Sequence, residues 1–417
     1  MGIFTRVLLR ASTLATGVIL ASTALFGQAS TQSHGSFDFN ADGVVFQSAD
    51  SSTRVLMRFR MQNWATYTTK TEDVDQDLDL SAGSTDFAVR RLRLRFGGSL
   101  YDPRLTFNLQ LSFSRSDQDW SDTQFPNIIR DAMIFWNFTP NLQVGFGQTK
   151  LPGNRQRVVS SADLEQPDRS IVNAAFNLDR DFGFQGFWRP LTGSVIVNLR
   201  GAVSTGDGRN QPSLVGGGMA YTGRAEVLPF GAFKNGGDYF EGDIMREQTP
   251  KLSVGVTYHH NDNQTKTRGP LGRALYGRRS SQLFYADALL KYQGFSLYTE
   301  YAQRTSDNPI TYNSKDTTGK DYAAVFVGRG YMAQASYIFP SMWNVGARYA
   351  VVDAGSQLAG LAEYQKQVNI SGVLGYYINR HRIKANVELG TNRITLLNSG
   401  SEVQHSLYAR FNMELGI

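Results

Sequence analysis

From Phe46 onward, apolar and polar residues alternate with a period of two in segments of about ten residues, and none sustains a helical period. Arg104 to Ser114 is the clearest case: Leu105, Phe107, Leu109, Leu111 and Phe113 alternate with Thr106, Asn108, Gln110, Ser112 and Ser114. Successive side chains of a strand point to opposite faces, so each such segment has one oily face and one wet face. The pattern predicts strands at 54–61, 89–96, 104–114, 128–138, 142–149, 182–188, 194–203 and 219–227. It predicts eight more at 252–258, 283–292, 295–301, 331–339, 343–351, 368–378, 383–389 and 407–417.

Alternation alone fits a soluble sandwich equally well, and the links between segments decide the matter. Short links rich in turn formers, such as Tyr101-Asp102-Pro103, Thr139-Pro140-Asn141, Tyr292-Gln293-Gly294 and Phe339-Pro340-Ser341, alternate with long polar ones. One long link is acidic (Glu72, Asp73, Asp75, Asp77, Asp79) and another basic (Lys266, Arg268, Arg273, Arg278, Arg279). An even strand count, tight turns at one end and long loops at the other predict an all-β fold: a 16-stranded antiparallel transmembrane β-barrel with short periplasmic turns and long extracellular loops. One link departs from the rule, because 229–250 stands where a tight turn is expected. Aromatic residues near strand ends (Trp64, Tyr67, Tyr101, Trp136, Phe138, Trp188, Phe339, Trp343, Tyr376, Tyr377) are expected to form interfacial girdles.

The chain opens with Arg6 and Arg10, a largely apolar run from Ala11 to Leu25, and small residues at Gly27 and Ala29. This reads as a signal peptide over 1–29, followed by a lead-in at 30–53 and the barrel at 54–417, in a protein exported to the bacterial outer membrane. No later segment has the roughly 20 consecutive apolar residues of a helical span. With no cysteine there is neither a disulfide scaffold nor a thiol nucleophile. The formal charge is +6, with Arg6 and Arg10 included, so only the placement of the cations is informative.

That placement is regular. In RVLMRFRM, Arg58 and Arg60 oppose Val55, Met57, Phe59 and Met61; in VRRLRLRF, Arg91, Arg93 and Arg95 oppose Leu92, Leu94 and Phe96. An arginine facing lipid near the midplane costs roughly 2 to 4 kcal/mol, so these guanidiniums belong in the lumen. The same parity puts Arg200, Arg224, Lys291, Arg348, Lys384 and Arg410 inside, with Glu226, Asp287, Glu300, Glu388 and Glu414. Arg90 falls on the lipid parity, where lipid headgroups or a bulge must accommodate it.

Several segments resemble the phosphate-selective porin O and P family: Gly43-Val-Val-Phe-Gln-Ser-Ala-Asp50 with the arginine strand after it, Arg90-Arg91 with Leu92-Arg93-Leu94, and Val144-Gly-Phe-Gly-Gln-Thr-Lys-Leu-Pro-Gly153. Asp168-Arg-Ser-Ile-Val-Asn173, Arg180-Asp-Phe-Gly183 and Gly237-Asp-Tyr-Phe-Glu-Gly242 are further matches. The resemblance implies a homotrimer of sixteen-stranded barrels in outer-membrane lipid. It also implies arginines stepping down the pore wall and a third long loop folded inward as a constriction. Here that loop is 150–181 and carries Arg155, Arg157, Arg169 and Arg180. Where the family has Lys, Pro-Phe-Gly and often Glu, this chain reads Lys150-Leu-Pro-Gly-Asn-Arg155, without the aromatic residue and the acid.

A guanidinium never deprotonates at neutral pH and presents a fork of donors that matches phosphate oxygens in pairs. Steps of ~7 Å between alternate arginines can replace an anion's hydration progressively. The expected function is passive admission of small anions, with phosphate or polyphosphate implied by the resemblance. Arg58, Arg60, Arg91, Arg93, Arg95, Arg200 and Arg224 are expected to line the path. The alternatives are a general-diffusion pore whose mixed lumen discriminates little and a plugged structural barrel; against any anion role stands the reading in which the arginines pair with loop carboxylates such as Asp75 or Asp77 and serve packing. An enzyme is not expected: His34, His259, His260, His381 and His405 are scattered, no serine stands in a nucleophile motif, and no metal or cofactor site is seen. Gly216 to Gly218 precedes a strand rather than a helix, which argues against a phosphate-cradling loop, and the period-two segregation argues against nucleic acid as a partner.

Overall fold

The structure, a computed structural model, describes residues 35–40, 43–71, 83–117, 127–211, 218–359, 361, 365–396 and 402–417. The expected signal peptide, His34, Gly216 and the acidic link with Glu72, Asp73, Asp75, Asp77 and Asp79 lie outside the described residues. A hairpin of β1 (Ser36–Asn40) and β2 (Gly43–Gln47) precedes β3 (Arg54–Thr71), β4 (Ser84–Leu100), β5 (Asp102–Ser112) and β6 (Ile129–Thr139). Next come β7 (Leu142–Lys150), β8 (Arg180–Leu191), β9 (Ile196–Ser204), β10 (Ala220–Leu228), β11 (Lys251–Lys266), β12 (Ala274–Tyr292) and β13 (Phe295–Thr305). A small pair, β14 (Ile310–Tyr312) and β15 (Tyr322–Ala324), leads to β16 (Gly328–Ile338), β17 (Trp343–Ala354), β18 (Gln365–Asn379), β19 (Ile383–Leu396) and β20 (Glu402–Gly416).

β3 to β13 and β16 to β20 form a closed 16-stranded antiparallel barrel, with β20 closing on β3 from His405↔Thr71 to Gly416↔Arg60. Every strand expected from the alternation is present. Several run further toward the long-loop end, as in β3, β11, β12 and β19. Beyond the hydrocarbon layer the outward face need not be apolar, so the ladder continues after the alternation has faded. Below the end of β20, β2 pairs with β3 from Val44↔Met57 to Gln47↔Arg54 and prolongs the wall.

The side-chain parity inverts that of a soluble protein. On β16, Tyr331, Ala333 and Ala335 are exposed outward while Met332, Gln334 and Ser336 are buried inside. Among the described residues no helix is long and apolar enough to cross a membrane; the crossing elements are the strands. Two of the girdle aromatics face the other way. Trp64 lies on the lumen side of β3 and donates its indole N–H to Asn412 Oδ1 at 3.0 Å, and Tyr377 is buried inside against Ile244 and Ile338. A position near a strand end does not reveal which face a residue takes; its parity does.

The lumen is not empty. The link 151–179 between β7 and β8 folds inward, carrying α1 (Arg155–Val158) and α2 (Ile171–Phe176), the latter capped where Ser170 Oγ accepts from Asn173 N at 3.2 Å. Leu151, Val172, Phe176 and Leu178 pack on lumen-facing Leu283, Tyr285, Tyr298, Met332 and Ala350, which closes the β12 to β17 side with an apolar core. From the opposite end, 229–250 also turns in: Lys291 Nζ donates to the carbonyls of Gly237 and Phe240, each at 2.8 Å. The over-long link is therefore an inward fold, and loop and link meet inside the barrel. Their approach needs Gly242, at φ +69°, where a Cβ would lie 2.6 Å from Glu165 Oε1.

Candidate functional site

The arginine strands pair in register. Arg58 stands directly opposite Arg95 and Arg60 opposite Arg93, so four guanidiniums share one face of β3 and β4. Like charges directly opposite one another destabilise a sheet. Something facing them must compensate. They open onto a cavity of about 510 Å³ whose lining also includes Lys150, Arg180, Arg380 and Arg382, with Asp163 and Glu414 as its carboxylates.

The inward loop is held by these same cations. Arg60 Nη1 donates to Ser161 Oγ at 2.6 Å and Nη2 to Ser161 O at 2.8 Å, while Arg93 Nη1 donates to Ser161 Oγ at 3.1 Å. Arg60 also pairs with Glu414. Arg93 Nε donates to Asp117 Oδ2 at 2.6 Å. Burial opposes ionisation of Asp117, which lies on the loop beyond β5, but Arg130, Arg93 and Arg91 outweigh it and hold its carboxyl well below the usual range. Arg95 is exposed and bonds to Asn108 Oδ1 at 2.7 Å; it makes no ion pair among the described residues.

Above this step a β-bulge changes the parity. Gln62 pairs with Arg91 and Asn63 with Val89, leaving Arg90 as the extra residue. Both arginines thus turn inward onto one loop carboxylate: Arg91 Nη2 donates to Asp168 Oδ1 at 2.7 Å and Arg90 Nη2 to Oδ2 at 3.1 Å. Arg348 Nη1 grips the Asp168 carbonyl at 2.8 Å. The Arg90 guanidinium also lies 5.0 Å from the Trp64 ring centre.

The arginines expected on the path and on the inward loop do not all reach the cavity. Arg58, Arg60, Arg93, Arg95 and Arg180 line the cavity, although Arg180 is paired with Asp131 and Asp179 at 2.9 and 3.2 Å. Arg91, Arg155 and Arg224 are buried and hold the interior together. Arg155 Nε donates to Asp287 Oδ1 at 2.5 Å and Arg224 Nη1 to Asp287 Oδ2 at 2.7 Å. Arg200 reaches Glu226 at 3.2 Å and stacks on Tyr239, 4.6 Å from the ring centre. On the loop, Arg157 Nε donates to Asp179 Oδ1 at 2.8 Å, and Arg169 donates to the carbonyls of Gln156 and Val159 at 2.6 and 2.7 Å. Interior parity separates wall from lipid but not open lumen from buried filling, which depends on where the loop lands. Lys150, Arg380 and Arg382 also line the cavity, outside the expected path; two basic residues flanking His381 in a tight turn are the signal that points to the last two.

Loop and inward link meet at two carboxylates. Gln334 Nε2 donates to Glu165 Oε2 at 2.9 Å and to Glu241 Oε2 at 3.0 Å. Burial, reinforced by Glu241, pushes the Glu165 carboxyl up to about 7. Among the described residues no cluster of His, Asp or Glu could hold a metal ion.

Solved structures with this fold include the anion-selective porin from Comamonas acidovorans (14% identity, 88% of this chain and 100% of that chain, TM-score 0.53). The outer membrane channel DcaP of Acinetobacter baumannii aligns over 89% of this chain and 99% of its own at 14% identity (TM-score 0.51). OmpF of Salmonella typhi, solved with daunomycin, aligns over 87% and 98%, also at 14% identity (TM-score 0.51). No curated protein sequence matches the chain. Residues 65–392 match the family described as Phosphate-selective porin O and P. A closed barrel of sixteen strands with an inward loop, together with a family match over most of its length, makes this chain an outer-membrane porin of the phosphate-selective porin O and P family.

Proposed function

We propose that the protein is a trimeric, anion-selective porin that admits small oxyanions, phosphate or polyphosphate, and that its leader is cleaved near Ala29. The observation that carries this reading is the facing of Arg58 on Arg95 and Arg60 on Arg93 at the wall of the open cavity. Four cations held against their own repulsion are stabilised by an anion passing before them, and the fork geometry of guanidinium suits an oxyanion. The family's name and the anion selectivity of the Comamonas porin support the same substrate class.

One observation favours the general-diffusion alternative. Arg60, Arg91 and Arg93 already meet Glu414, Asp168 and Asp117, which leaves less uncompensated charge in the lumen than the strand pattern alone implies. Chloride current through single channels in a planar bilayer, recorded as phosphate is added, separates the two. Block by phosphate at concentrations well below that of chloride is expected. Current indifferent to phosphate would leave only general diffusion.

A further inference from the structure

We propose that Asp163 makes this path prefer hydrogen phosphate over sulfate, by accepting the hydrogen bond that only the protonated oxyanion can donate. The proposal deepens the reading above and rests on it.

A carboxylate facing an anion path needs a reason to be there, because by charge alone it repels what the arginines attract. The cavity lining holds two acidic side chains, and they differ. Glu414 is spent on Arg60 and stands 3.6 Å from Lys384 Nζ. Asp163 sits at the end of the short 3₁₀ segment Ser161–Asp163, two residues from the serine that Arg60 and Arg93 grip. Its backbone is fully engaged: the N–H donates to Ser160 O at 2.9 Å and the carbonyl accepts from Glu241 N at 2.8 Å. Its carboxylate makes no hydrogen bond or ion pair among the described residues, and the side chain is only half-buried. It is thus fixed in place, open to the cavity, and has lone pairs to offer beside guanidinium donors.

The chemistry follows from the two anions. Near neutral pH phosphate carries one or two protons and sulfate carries none. An oxyanion before Arg58, Arg60, Arg93 and Arg95 satisfies donors with its bare oxygens in either case. Only phosphate has an O–H left for an acceptor on the far side, in a charge-assisted bond. Sulfate sets its lone pairs against those of Asp163 with no proton between them, so the residue selects by repulsion as well as attraction. Burial raises the pKa of Asp163, and a hydrogen bond donated to its carboxylate opposes that effect by favouring the charged form.

The test uses purified full-length porin in planar bilayers at neutral pH, with chloride current blocked by phosphate or sulfate on the same channels. Wild type should be half-blocked by phosphate at a concentration at least about tenfold below that of sulfate, the ratio expected for one unmade charge-assisted bond. Asp163→Asn, neutral and isosteric with an N–H donor to offer, should bring the two within about twofold, chiefly by strengthening sulfate block. Asp163→Glu keeps the acceptor and should keep phosphate ahead. Equal block by both anions in wild type, or an undiminished ratio in Asp163→Asn, overturns the proposal. A wild-type reversal potential near zero in a salt gradient instead removes the anion reading beneath it, so the two failures are distinguishable.

Discussion

Arg91 and Asp168 meet inside the barrel at 2.7 Å, joining the first pair of strands to the far limb of the inward loop. Arg90, brought inward by the bulge, takes the other oxygen of the same carboxylate. Burial disfavours the Asp168 charge, but Arg91 and Arg90 outweigh that effect and hold its carboxyl well below the usual range. The loop is therefore tied to the wall by a forked ion pair.

Asp168→Asn removes the charge and leaves a buried guanidinium unpaired. Breaking a buried pair costs ~3–5 kcal/mol, and the lower part of that range is expected because Asp168 keeps 27% of its side chain exposed. The loop should loosen, giving larger and noisier single-channel conductance. An unaltered current trace would mean that the loop is held elsewhere.

Charge reversal is best placed at Arg95. It is exposed and has no carboxylate partner among the described residues, whereas Arg91 and Arg93 each hold one. Arg95→Glu should change folding stability by no more than about 0.5 kcal/mol, as is usual for exposed sites, and should shift the reversal potential toward cations. A triple replacement of Arg91, Arg93 and Arg95 by glutamate confounds the two effects, since it also takes one guanidinium partner from Asp168 and one from Asp117.

Most of the barrel is legible in the sequence because lipid imposes period two on every crossing segment. Strand number, the order of long and short links and the inward parity of Arg200, Arg224, Lys291, Arg348, Lys384 and Arg410 all follow from that constraint. The inward turn of Arg90 depends on one inserted residue, which alternation cannot locate in advance. The pairing of Arg60 with Glu414 joins the first and last strands, and its partner emerges only when the barrel closes. Arg224 looks like a pore residue in a strand diagram. It is buried because the loop and the inward link cover it, and both conceal their apolar contacts, such as Phe176 and Phe240, among polar residues that carry no periodic signal.

The apolar core inside the lumen can be tested through Phe176, which is fully buried on α2. Phe176→Ala should destabilise this contact by ~3–5 kcal/mol. Because the core shuts the β12 to β17 side, the variant should also conduct more while remaining a heat-modifiable barrel. Loss of the barrel altogether would show that the core is needed for assembly rather than for closing the lumen.

The Glu165 and Glu241 contact should depend on pH. The Glu165 carboxyl is raised from 4.5 to about 7, so its contribution to stability is fully present below 4.5 and is lost as pH rises through about 7. Melting temperature should therefore fall between pH 5 and 8 in wild type and fall less in Glu165→Gln. Parallel pH profiles for the two proteins would exclude a shared proton at this contact.

The reversal potential of wild-type channels under a chloride salt gradient bears most directly on what the arginine face does. A potential close to the chloride equilibrium value is expected if Arg58, Arg60, Arg93 and Arg95 govern passage. A potential near zero, or one of cation sign, would contradict it.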